Sequence, residues 1–135
     1  MSKNIIEDIR YAYAAYCRGD IQEAVNSLDI APDILWIEPE EFYAGGTYHG
    51  RQGVIDYLAL AYSANEHVEN VPEEIIEVGD KIAVFLHFRV WPKGSDQPRE
   101  GHIADVYTFQ DGKVVQMQAY SDPAEARKAV GLPHK

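Results

Sequence analysis

Asp105 is the residue of this sequence that most needs a chemical explanation. It lies within residues 101–109, a run of β-branched and aromatic residues followed by the turn signal Asp111-Gly112, which is typical of a β-strand. Carboxyl groups are rarely buried unless they are paired or their pKa rises enough to keep a proton. A carboxyl group in such a strand predicts either proton-transfer chemistry or a structural ion pair.

Glu38 and His87 are the other candidate proton-transfer groups. Glu38 ends a short predicted strand and precedes an acidic loop, so the alternative is a solvated rim residue. His87 alternates with Arg89 along a predicted strand, and a lone histidine there could equally be a hydrogen-bonded core residue. Arg89 could form an ion pair with Asp105 across neighbouring strands. This structural role for Asp105 is as consistent with the sequence as a catalytic one. The histidines lack HxH or HxxxH spacing, so no metal site is predicted.

Composition limits the classes of partner. The chain has 135 residues and a formal net charge of -10, which indicates one domain over residues 1–135 and disfavours binding to nucleic acid. No stretch is apolar enough for a membrane span, and acidic surplus disfavours anionic lipid surfaces. A single cysteine, Cys17, excludes a disulfide framework, and the N-terminus does not resemble a signal peptide, so a cytoplasmic protein is expected.

The order of the predicted elements indicates an α+β fold. Helical spacing predicts amphipathic helices over residues 4–18 and 21–28, a short strand over 34–38, a turn-rich loop over 39–50 and a third helix after it. From residue 71 the pattern favours four strands joined by short connections, followed by a short final helix. Short connections favour antiparallel neighbours, so we expect a curved antiparallel meander packed against the helices.

The turns and caps of the chain form an ordered series. Its members are the tyrosine-rich first helix, Gly19-Asp20, Ile37-Glu38-Pro39, Tyr48-His49-Gly50, Gly79-Asp80, Asp111-Gly112-Lys113-Val114 and Tyr120-Ser121-Asp122. In this order the chain resembles the SnoaL-like and ketosteroid-isomerase-like branches of the nuclear-transport-factor-2-like superfamily over residues 5–130. The resemblance implies a cone-shaped curved sheet wrapped around N-terminal helices, a deep apolar pocket at the open end, and a homodimer through the outer sheet face.

By resemblance to the isomerases, Glu38 is the carboxylate that moves a proton on a ketone, and Asp105 is a protonated acid that hydrogen-bonds the developing enolate. The oxyanion tyrosine of that family corresponds to Ala12 here, so either Tyr16 or Tyr57 replaces it or the role is missing. The same analogy orients His87 and Arg89 towards the cavity. Glu38, His87 and Asp105 are therefore the expected catalytic residues, and the residues expected to line the pocket are Trp36, Tyr16, Tyr57, Phe85, Arg89, Trp91, Tyr107 and Met117.

Three functions are consistent with this pattern. The first is acid–base chemistry without a cofactor, of the isomerase or polyketide-cyclase kind, on a small apolar or carbonyl-containing molecule. The second is a noncatalytic domain that binds a small molecule or dimerises. The third is epoxide hydrolysis, for which Arg89 and Asp105 would supply part of an acid–arginine–acid set.

Overall fold

The computed structural model describes residues 5–133, which form four helices and one six-stranded sheet. The first helix begins at Ile5, and Asn4, at the start of the predicted range, lies outside the described residues. The helices are α1 (Ile5–Cys17), α2 (Ile21–Leu28), α3 (Gly50–Ser63) and α4 (Pro123–Ala129), and the strands are β1 (Ile30–Glu38), β2 (Gly46–His49), β3 (Asn65–Val78), β4 (Lys81–Pro92), β5 (Arg99–Gln110) and β6 (Lys113–Tyr120).

Local signals explain the helix boundaries. Asp20 caps α2 by accepting a hydrogen bond from the Glu23 amide at 3.4 Å, and the helix ends at Asp29, whose φ of 53° is left-handed. Asp122 caps α4 in the same way, through the Ala124 amide at 2.9 Å, and Pro123 occupies the first helical position.

The α+β class is confirmed, but the sheet is mixed and not wholly antiparallel. Its strand order is β2-β1-β6-β5-β4-β3, and β1 runs parallel to β6 while the other neighbours are antiparallel. A parallel pair of strands needs a long crossover connection, and the part of the chain between β1 and β6 provides it. Other differences concern lengths: part of the loop predicted over 39–50 forms β2, β1 begins four residues before its predicted start at residue 34, and β3 begins six residues before its predicted start at residue 71.

The two faces of the sheet are covered differently. Helices α1 and α3 pack on the inner face with α2 beside them, and the main apolar core lies between these helices and the sheet. Helix α4 covers part of the outer face, where Ala126 and Val130 contact Ala83 and Phe85. No helix within residues 5–133 is long and apolar enough to span a membrane.

Candidate active site

A cavity of about 130 Å³ lies between the inner face of the sheet and the first three helices. Its walls are mainly aromatic and aliphatic, and none of the described residues that line it is a lysine, arginine or histidine. Among the described residues, Glu38 and Asp105 are the two polar side chains that are buried, at 7% and 9% exposure, and both line this cavity. The site therefore combines two carboxyl groups with an apolar, cation-free wall.

Strand register brings the two carboxyl groups to the same place. In β1, alternation puts Ile34, Trp36 and Glu38 on the inner face. Asp105 pairs with Ala119 on β6, and Glu38 follows directly after Ile37, which pairs with Gln118, the residue before Ala119. Glu38 and Asp105 thus lie on either side of Ala119 on the inner face of the sheet. Their backbones are two strand spacings apart, which is roughly 10 Å. Ala119 between them is a small, buried core residue.

Asp105 is held by a short hydrogen-bonded chain. The Tyr13 hydroxyl donates to Asp105 Oδ2 at 2.5 Å, and the Tyr13 and Tyr107 hydroxyls are 2.7 Å apart. A contact of this length to a carboxylate is typical of a charge-assisted hydrogen bond. Because Tyr13 lies on the buried stripe of α1, this chain also fixes the first helix against β5.

Glu38 has its own aromatic donors. Trp36 Nε1 donates to Glu38 Oε2 at 2.8 Å, and the Tyr57 hydroxyl from α3 is a second hydrogen-bond partner. The Trp36 ring also meets the Tyr107 ring edge to face, with centroids 6.2 Å apart. Each carboxyl group is therefore oriented by uncharged donors on rigid elements.

Burial changes the protonation of both groups. Desolvation, and then the charge of Asp105, raises the pKa of Glu38 to about 8, although the Trp36 and Tyr57 hydrogen bonds oppose this. Desolvation also raises the pKa of Asp105 to about 6, against the lowering effect of the Tyr13 hydrogen bond. Near pH 7 the two groups together therefore hold about one proton, and they titrate as a pair.

The structure brings together six of the residues predicted for the site. Glu38 and Asp105 meet in the cavity, and the four predicted wall residues that also line it are Trp36, Tyr16, Tyr57 and Tyr107. Met117 is fully buried on the same face, between Trp36 and Tyr107 in the strand register, and belongs to the apolar core.

The predicted inward orientation of His87 and Arg89 is wrong. Val84 lies opposite Asp105 on the neighbouring antiparallel strand, so its side of β4 faces inward. This inner side carries apolar residues, whereas the alternate residues, which include His87 and Arg89, face outward. His87 contacts Glu100 at 2.7 Å and stacks on His102 on the outer face, while Arg89 lies over the Trp91 ring. Neither residue reaches the cavity.

The same correction applies to Phe85 and Trp91. Phe85 packs beneath α4 with the Arg127 guanidinium 4.6 Å from its ring, and Trp91 contacts His67 in a tilted arrangement with ring centroids 4.9 Å apart. The proposed ion pair between Arg89 and Asp105 is also absent, since Asp105 is bound by Tyr13. The acid–arginine–acid set expected for an epoxide hydrolase therefore does not form.

Tyr13 is the site residue that the sequence interpretation missed. The isomerase analogy drew attention to Ala12, which lines the cavity as a small wall residue, and to Tyr16, one turn later. The available signal was the helical spacing of Ile5, Ile9 and Tyr13, which places Tyr13 on the buried stripe of α1.

Within residues 5–133, no group of three or more histidine, cysteine or acidic side chains is arranged to hold a metal ion.

The raised pKa of Glu38 predicts an unusual pH dependence of stability. A carboxyl group whose pKa is higher in the folded chain stabilises it below the unfolded pKa, and this contribution is lost as the pH rises through the folded value. Glu38 alone should therefore lower the free energy of unfolding by roughly 3 to 4 kcal/mol between about pH 5 and about pH 8, and the raised pKa of Asp105 adds roughly 1 kcal/mol to this fall. Urea denaturation measures this fall, which Glu38→Gln should reduce clearly and the exposed control Glu40→Gln should not. An identical fall in Glu38→Gln would contradict the assignment.

Comparison with known proteins identifies the family of this chain. The model of the SnoaL-like domain matches residues 9–117, whereas no curated protein matches the chain. A solved NTF2-like protein of unknown function from Burkholderia pseudomallei is 27% identical, with 96% of this chain and 98% of that chain covered and a TM-score of 0.77.

TerC, crystallised with polyporic acid, is 26% identical, with coverage of 96% and 99% and a TM-score of 0.75. A protein with a ketosteroid isomerase-like fold from Catenulispora acidiphila, in complex with trimethylamine, is 17% identical, with coverage of 98% and 96% and a TM-score of 0.74, and this likeness shows the fold alone. The expected superfamily is confirmed: this chain belongs to the SnoaL-like domain family of NTF2-like proteins.

Proposed function

We propose that this protein is an enzyme that moves a proton on a small, mainly apolar carbonyl compound, using its own carboxyl groups as acid and base. The observation that carries the proposal is the pair of buried carboxyl groups, Glu38 and Asp105, in one cation-free cavity. Proton transfer is most efficient when the catalytic pKa lies near the working pH, and the two pKa values of about 6 and about 8 bracket neutrality. Such chemistry is of the isomerase or polyketide-cyclase type.

The protonation of the pair suggests how the roles are divided. Asp105 accepts the Tyr13 hydrogen bond, which favours its ionised form, so we assign it as the base, with Oδ1 as the oxygen that Tyr13 does not occupy. Glu38 keeps its proton longer and is the acid that protonates the carbonyl oxygen. Removal of an α-proton by Asp105 and protonation of the oxygen by Glu38 give an enol, and the reverse transfers return a proton to carbon. This division reverses the roles implied by resemblance to the isomerases.

The cavity limits the size of the reacting group. A dry apolar cavity of about 150 Å³ accommodates a benzene ring, and the cavity beside Glu38 measures about 130 Å³. The aromatic walls from Tyr16, Trp36 and Tyr57 suit a flat, unsaturated group. The reacting part of the substrate is therefore one ring or a short conjugated segment.

Noncatalytic binding is the second candidate. The aromatic donors satisfy both carboxyl groups without a substrate, and no buried side-chain nitrogen or oxygen of the described residues lacks a hydrogen-bond partner. A pocket of this kind could serve to bind a ligand without chemistry. A homodimer through the outer sheet face and a cytoplasmic location also stay predictions.

Acetophenone offers a direct assay because it fits one aromatic ring into the cavity and has exchangeable α-protons. The protein should accelerate exchange of these protons for deuterium, followed by NMR, with a bell-shaped pH dependence and limbs near pH 6 and pH 8. Glu38→Gln and Asp105→Asn should each lower the rate at pH 7 by about a hundredfold. The exposed controls Glu40→Gln and Asp80→Asn should retain it. Exchange that persists at more than half the rate in both site variants would refute acid–base catalysis by this pair.

The Tyr13 hydroxyl should set the acidic limb of that profile. Its hydrogen bond favours the ionised form of Asp105, so Tyr13→Phe removes a lowering influence on the Asp105 pKa. The limb assigned to Asp105 should move to higher pH by about one unit while the alkaline limb stays. Tyr11→Phe, on the exposed side of α1, is the matched control. A limb that stays in place in Tyr13→Phe would show that another group is the base.

A further inference from the structure

A second, larger cavity adjoins the site at the open end of the sheet. It measures about 460 Å³ and shares four wall residues with the inner cavity, namely Tyr16, Phe42, Asn70 and Ile103. Its other walls come from the ends of β3, β4 and β5 and from the end of α3. The two cavities therefore lie in series, with the carboxyl pair at the inner end.

Strand β5 connects the two cavities along one face. Alternation puts Asp105, Ile103 and Arg99 on the same side, with Asp105 in the inner cavity, Ile103 in both and Arg99 in the outer one. Six residues of extended strand separate the backbones of Asp105 and Arg99 by roughly 20 Å. On β4, Phe88 and Val90 continue the apolar inner face into the outer cavity.

Charge is distributed unevenly between the two cavities. The inner cavity contains Glu38 and Asp105 and no cation, whereas the charged residues that line the outer cavity within the described part of the chain are Lys93 and Arg99. Neither cation makes an ion pair with a described residue. Two unpaired cations at one opening are notable in a chain whose net charge is -10.

We propose that the outer cavity binds the anionic tail of an elongated substrate whose carbonyl end reacts in the inner cavity. The substrate class is an apolar ketone that carries a carboxylate or similar anion several bonds from the reacting carbon. This rests on the proposed function, since it takes the inner cavity as the reacting end.

The charges then determine the orientation of the substrate. An anion placed in the inner cavity would meet the carboxyl pair in a low-dielectric environment, which is costly. The same anion at the outer opening meets Lys93 and Arg99 in a partly solvated position, where attraction is modest but favourable. The uneven charge distribution therefore places the neutral carbonyl end inward and the acidic end outward.

The test compares 11-oxo-11-phenylundecanoate with its methyl ester, which has the same ketone and chain but no charge. The extended chain spans roughly 12 Å from the ketone carbon to the carboxylate, and the long side chains of Lys93 and Arg99 can cover the remaining distance. Isothermal titration calorimetry at low salt should give about fivefold tighter binding of the acid, a size expected for two exposed charge contacts. The double variant Lys93→Gln/Arg99→Gln should abolish this preference, measured as the ratio of the two affinities in the same protein. Lys128→Gln, an exposed lysine on α4, is the control that should retain it. High salt should also reduce the preference.

Equal affinities of the two compounds for the unmodified protein, or no binding of either, would overturn the proposal. A preference that survives in the double variant would overturn it as well, because the cations would then not be its source. The exchange assay with acetophenone, which has no tail, separates this proposal from the proposed function. Charge preference without exchange leaves the anion site standing and refutes the acid–base function, whereas exchange without charge preference does the opposite.

Discussion

The burial of two carboxyl groups beside one apolar cavity is the constraint on which the rest of the site depends. Among residues 5–133, no cation lines the cavity to offset the charge of Glu38 or Asp105, and desolvation raises the pKa of both. Uncharged donors from Trp36, Tyr57 and Tyr13 hold the oxygens in place. The pair can avoid the cost of two buried charges by keeping one proton, which is the state that acid–base chemistry needs.

The fold supplies the positions that this arrangement requires. The parallel pairing of β1 with β6 brings the end of β1 to within two strand spacings of β5, with Ala119 between them. The α1 and α3 helices then contribute Tyr13 and Tyr57 from above the sheet and close the cavity. The same inner face of the sheet continues into the larger outer cavity, whose charged wall residues are cations instead of carboxyl groups. One surface thus carries the carboxyl pair at its enclosed end and Lys93 and Arg99 at its wider, open end.

Much of this could be predicted from the sequence, for identifiable reasons. The span of α2 follows from the Asp20 cap and apolar spacing, and Asp105 stood out as a carboxyl group in an apolar strand. The predicted orientation of β4 was wrong because the isomerase analogy placed His87 and Arg89 towards the cavity. The alternate residues of β4 are all apolar, and these are the residues that pack in the core. The parallel partner of β1 and the Tyr13 contact depend on residues more than 80 positions apart, which local patterns do not contain.

The central claim, that the two carboxyl groups share about one proton near neutrality, can be measured by carbon-13 NMR of the labelled side-chain carboxyl carbons during a pH titration. The account predicts that the Glu38 signal titrates near pH 8 and the Asp105 signal near pH 6, and that removal of one carboxyl group by Asp105→Asn lowers the pKa of Glu38. Ordinary titration of both signals near pH 4, with no response of one group to loss of the other, would contradict it.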